Sequence, residues 1–143
     1  MVLVYAASSD YTSWTGNTPP ANMNTLLRSA SILVREATRN CFYAVDTNGY
    51  PTDATIKQAF NDATCSQCSF WVANNIDPQA VLAPASILNS KAIASARLGY
   101  DTAGAGSVQA YQQRVEAATT LCDEAYRILS DANLQLNGVW VIG

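Results

Sequence analysis

Between Asn22 and Cys41, apolar residues recur at Met23, Leu26, Leu27, Ala30, Leu33, Val34, Ala37 and Cys41. This three-and-four spacing lays one continuous stripe along an α-helix. No other feature constrains the fold as strongly, because a strand would split these residues between two faces and leave half of them in water. Arg28, Arg35 and Arg39 cluster on the opposite side, with Glu36 three residues before Arg39 and spaced to pair with it. Such a basic stripe is either a solvated helix face or a surface for DNA or for acidic groups on a neighbour.

A second helix is expected from about Asp53 to Asn74. Asn48-Gly49 and Tyr50-Pro51 are turn dipeptides, and Thr52 or Asp53 is a good N-cap for the amides that follow. Ile56, Ala59, Phe60, Ala63, Phe70 and Trp71 share the core side. Cys65, Cys68 and Val72 form a second, weaker apolar stripe well round the cylinder. Two apolar faces imply burial on both, either by a loop of the same subunit or by a partner. These three residues are therefore candidates for a subunit interface.

Flanking segments complete the pattern. Ser9 to Gly16 suits a short helical turn capped by Ser9 or Asp10, ended by Gly16 and anchored by Trp14. Pro19-Pro20 is a stiff connection. From Lys91 to Asp101 the period changes to two, as in a half-buried strand, and Ile87-Leu88 would be its hairpin partner across Asn89-Ser90. Thr102 to Ser107, with Gly104 and Gly106, reads as a flexible loop, and the stretch around 102–119 as a flexible insertion. A further helical stripe runs from Val108 to Leu129. It is one helix or two, with Thr119-Thr120 and Asp123-Glu124 suited to capping a fresh start. Val139, Trp140, Val141 and Ile142 have the makeup of a strand buried on both faces, and pair within the chain or with an adjacent subunit. The expected fold is mainly α: a small helical bundle with a β-hairpin and a C-terminal β-strand.

The 143 residues suit one domain, 1–143. Only 13% of them are charged, low for a free-standing monomer, so part of the surface is expected to meet protein. The net charge is −3 and lysine occurs only at Lys57 and Lys91, which disfavours tight nonspecific DNA binding. The opening residues Met1 to Tyr5 have no basic region or cleavage site of an export signal, and no apolar run is long enough for a bilayer. Reduced thiols in a cytoplasm are the expectation.

Chemistry finds few footholds. The chain has no histidine, which removes imidazole bases, Ser/His and Cys/His nucleophile pairs and imidazole metal sites. Cys65-Ser66-Gln67-Cys68 matches C-x-x-C, but Cys41 and Cys122 are solitary and supply no second pair for zinc. The pair falls in mid-helix, away from the terminus whose dipole activates a redox cysteine. Gly104-Ala105-Gly106 lacks the Gly-Lys-Ser/Thr of a phosphate loop, and Asp46-Thr47-Asn48-Gly49 is a turn, not a calcium loop. No cofactor and no catalytic residue are expected.

Several segments, in order, resemble the head-to-tail adaptor (head-completion) proteins of long-tailed bacteriophages, in particular those of actinobacteriophages. They are Asp10-Tyr11 with Trp14-Thr15-Gly16, Leu26 to Arg35, Pro51-Thr52-Asp53 with Ala63-Thr64-Cys65, Ile93 to Asp101, Leu121 to Ala125 with Ile128-Leu129, and Gly138 to Val141. Asp123 stands where many such proteins have proline, and Thr102 to Thr119 looks like an expansion. The resemblance implies a non-enzymatic virion protein, assembled in the host cytoplasm into a ring of twelve copies. That ring would sit between the portal and the tail, extend the channel through which double-stranded DNA passes, and present a docking surface to a stopper or tail component. Arg28, Arg35 and Arg39 would then face the channel or a neighbouring subunit. A rival expectation from the residues alone is a small cytoplasmic thiol, redox or regulatory domain using Cys65 and Cys68.

Overall fold

The computed structural model describes residues 2–82 and 102–134. Among these the architecture is mainly helical: α1 (Ser8–Thr15), α2 (Met23–Ala37), α3 (Ala54–Ala73), α4 (Pro78–Leu82), α5 (Thr102–Thr119) and α6 (Asp123–Asp131). No strand occurs among the described residues. The one β-type contact is an isolated antiparallel bridge between Val45 and Pro51. The expected hairpin at 87–101 and the strand at Val139, Trp140, Val141 and Ile142 lie outside the described residues.

The described chain forms two compact units, one from residues 2–70 and 121–134, the other from 71–82 and 102–120. In the first, α2, α3 and α6 meet through Val34, Ala59, Phe60, Ala63, Ala125, Leu129 and Leu134, all buried. Met23, Leu26, Leu27 and Ala30 continue the α2 stripe into the interior, so the sequence periodicity and the buried face coincide. In the second unit α4 packs against α5. The Trp71 indole is fully buried there and donates to the Ala117 carbonyl at 2.8 Å.

Local chemistry sets the ends of the helices. The Asp53 carboxylate accepts from the Thr55 and Ile56 amides at 2.8 and 3.2 Å, so Asp53 is the N-cap of α3. Asp46 organises the turn before it, accepting from the Asn48 and Tyr50 amides at 2.8 and 3.0 Å. Gly49 takes φ +95° there, a conformation costly to a residue with a Cβ. α3 and α6 end alike. Asn75 and Asn133 adopt left-handed backbone, and the amides of Ile76 and Leu134 reach back to the carbonyls of Trp71 and Leu129. In each case the apolar residue after the asparagine is buried, the pattern of a Schellman ending.

Four expectations need correction. α1 begins at Ser8 behind Ala7, so Ser9 and Asp10 are inside the helix, and Asp10 reaches back to accept from the Ala7 amide at 2.8 Å. Trp14 is not its anchor: it is 39% exposed, whereas Tyr11 is buried. The segment 102–119 is helix, not flexible loop, because a run rich in alanine and glutamine outweighs two glycines at about 1 kcal/mol each. The break after α5 is real, but its threonines act backwards. Thr119 and Thr120 donate their hydroxyls to the carbonyls of Val115 and Glu116 in α5, and Cys122 is the N-cap residue of α6.

Candidate functional site

Two places draw on the residues that the sequence singles out: the middle of α3 and the outer face of α2. In α3, Ala63, Thr64, Cys65, Ser66, Gln67 and Cys68 are all buried, so this stretch is enclosed on every side rather than along one stripe. Its polar groups are partnered. The Thr64 hydroxyl returns to the Phe60 carbonyl at 2.8 Å. The Gln67 side-chain oxygen accepts from the Cys122 amide at 2.7 Å, filling a donor that α6 leaves open at its start. Ser66 Oγ and Cys122 Sγ lie 3.7 Å apart.

Cys65 and Cys68 have no exposed surface, which is the first of the two coverings that the sequence leaves open. The chain itself covers them. Val72 is half-buried. Burial, reinforced by Asp10 and Asp62 nearby, pushes the Cys65 thiol up from its ordinary 9.0 to about 12. Burial also raises Cys68, with Cys65 and Cys122 adding to the effect. A nucleophilic cysteine needs the opposite shift. All four cysteines are free thiols, and no group of residues suited to hold a metal occurs among the described residues.

The N-terminal segment straps the same unit from outside. The Tyr5 amide donates to Ser31 Oγ on α2 at 3.1 Å, and Asn61 Nδ2 on α3 donates to the Tyr5 carbonyl at 3.2 Å and to Asp10 Oδ2 at 2.9 Å. The Tyr5 ring meets Phe60 and Tyr50 edge-on, with centroids 4.9 and 6.0 Å apart, and Tyr43 meets Phe60 at 5.3 Å. Such edge-to-face pairs add about 1 kcal/mol each to burial. Burial, with Tyr43 beside it, pushes the Tyr5 hydroxyl up to about 12, a rise that the Arg35 charge partly offsets.

Arg28 and Arg35 on the outer face of α2 are exposed, as is Arg39, which lies in the turn after α2 because the helix ends at Ala37. The expected pairing of Glu36 with Arg39 does not form, and no described carboxylate forms an ion pair with any of the three arginines. Ile32 falls within the stripe and is 41% exposed. Beside it a groove of about 560 Å³ is lined by Val2, Leu3, Ile32, Arg35, Arg39 and Val45, among others. Val2 and Val45 are 45% and 50% exposed, so the lining carries uncovered aliphatic side chains alongside the arginines and the polar Ser31, Glu36 and Thr38. The mixture of uncovered aliphatic side chains with arginines was not evident from sequence. Ile32 is polar-side only by its helical phase, and Val2 and Val45 join it only through the fold.

No family model matches the chain, and neither the curated proteins nor the solved structures compared with it give a match. No described helix is long and apolar enough to cross a membrane.

Proposed function

We propose that the chain is a structural, non-enzymatic head-to-tail adaptor of a tailed bacteriophage. It acts as one subunit of a ring of twelve copies between portal and tail, where it prolongs the DNA channel and offers the next component a surface. The finer fold proposed with it is a helical bundle completed by a β-hairpin at 87–101 and a terminal strand at 139–142. The observation that carries the reading is the ordered series of adaptor-like motifs from Asp10 to Val141.

The geometry supplies support of a different kind. Cys65 and Cys68 are packing residues with protonated thiols, which removes the main ground for a redox domain. The outer face of α2 carries aliphatic and basic side chains together, a composition that suits contact with protein better than exposure to water. A ring made from identical subunits needs two different, complementary faces on each. Mass spectrometry of purified particles tests the reading. The chain is expected at a copy number matching the portal, and its absence from particles overturns the proposal.

A further inference from the structure

We infer that the α2 stripe Arg28, Ile32 and Arg35, with Arg39 just past its end, receives the outer face of α6 from a second copy of this chain. The inference rests on the ring reading above and names the two faces that would join. Arg28, Ile32 and Arg35 follow one another at helical spacing on α2 and form a single exposed line, with exposed Arg39 in the turn just past the end of the helix. On α6, Ala125 and Leu129 are buried in the core, which leaves Glu124, Arg127 and Asp131 facing outward and exposed.

The two lines match in charge and in spacing. Arg28 and Arg35 are seven residues apart, as are Glu124 and Asp131, so each pair spans two helical turns, about 10 Å, on one side of its helix. Each face also carries one charge of the other sign, Glu36 on α2 and Arg127 on α6, which would penalise a slipped register. Among the described residues none of Arg28, Arg35, Glu124 and Asp131 forms an ion pair. α2 and α6 pack into the same core through Val34 and Leu129, so their outer faces are separate surfaces of one unit. Joining unlike surfaces is the head-to-tail arrangement that propagates into a ring.

Double-stranded DNA is the other occupant that arginines suggest. Ile32 in the middle of the stripe, the uncovered Val2 and Val45 side chains, and Glu36 alongside all disfavour a phosphate backbone.

The test uses the full chain and two double charge reversals, R28E/R35E and E124R/D131R. Self-association is followed by sedimentation equilibrium at low and high salt, with circular dichroism as a check on folding. The wild type is expected to associate at low salt and weaken as salt rises. Each variant alone should associate at least about tenfold more weakly, and an equimolar mixture should recover heterotypic association. Recovery on mixing is an outcome that misfolding cannot produce. Association that persists unchanged in both variants, a mixture that fails to recover, or a wild type that stays monomeric to about 1 mM overturns the inference. So does loss of duplex DNA retention in R28E/R35E with self-association intact. None of these outcomes touches the ring reading, which stands or falls on whether the chain is present in particles.

Discussion

The middle of α3 and the outer face of α2 both mix polar with apolar residues, yet the fold treats them oppositely. From Ala63 to Cys68 even threonine, serine and glutamine are enclosed, each with its hydrogen-bonding groups satisfied. On α2 an isoleucine stands open between arginines that form no ion pair among the described residues. The contrast teaches that a second apolar stripe on a helix is not evidence for a partner until the subunit's own elements have been placed round it. Asp10 on α1 lies near Cys65, and Cys122 at the start of α6 lies near Cys68, where the sequence suggested an interface on α3. The uncovered surface lies elsewhere.

The largest expected effect breaks the α3 side of the comparison. Phe60 is fully buried beneath Tyr5 and Tyr43, and Phe60→Ala should cost about 3–5 kcal/mol of unfolding free energy in urea titration. Ile32→Ala on α2 should cost under about 1 kcal/mol, since little of its burial is lost. Equal costs would mean that α2 is covered within the subunit after all.

Gln67→Leu comes next. It keeps the volume but leaves the Cys122 amide without its acceptor, and should cost about 1–3 kcal/mol. A neutral result would show that the start of α6 does not depend on α3.

The thiols sharpen the comparison through pH. Because the folded Cys65 thiol holds its proton to about 12 while an unfolded one loses it near 9.0, the folded state binds more protons between those values. Its contribution to stability is therefore complete below about pH 9 and falls as pH rises toward 12. Tyr5, raised from 10.0 to about 12, acts in the same direction over a narrower window. The urea midpoint of the wild type should drop with pH above 9, and that of Cys65→Ala should drop less steeply. Parallel slopes would place the Cys65 thiol in water.

Smallest is the backbone effect at Asn133, whose φ of 65° suits glycine. Asn133→Gly should change stability by under about 1 kcal/mol, whereas Asn133→Val should destabilise by about 1–2 kcal/mol through strain at positive φ. Both are read from thermal melts.

Much of the scaffold was legible in the sequence because its signals are local. The α2 stripe, the Asp53 cap, the Asp46–Gly49 turn and the break before α6 each depend on residues within a few positions of one another. Long-range coverage was not legible. Whether Cys65 meets a neighbour or Asp10 depends on where a residue far away in the chain arrives. The helix at 102–119 differs from the loop that the sequence suggests for a local reason: Gly104 and Gly106 signal a loop, and the helix-forming residues around them outweigh that signal. The left-handed asparagines that close α3 and α6 carried a signal that was available, Asn followed by a buried aliphatic, in Asn75-Ile76 and Asn133-Leu134. For the candidate site, the exposed arginines were readable by helical phase, while the aliphatic rim at Val2 and Val45 needed the fold.

The central claim is that the outer face of α2 exists to be covered by protein inside a particle, and cryo-electron microscopy of the purified particle's neck tests it most directly. The account predicts density for this chain in a ring between portal and tail, with Arg28, Ile32 and Arg35 buried against an adjoining subunit. A neck built without this chain, or a ring in which that face of α2 is bare to solvent, would contradict it.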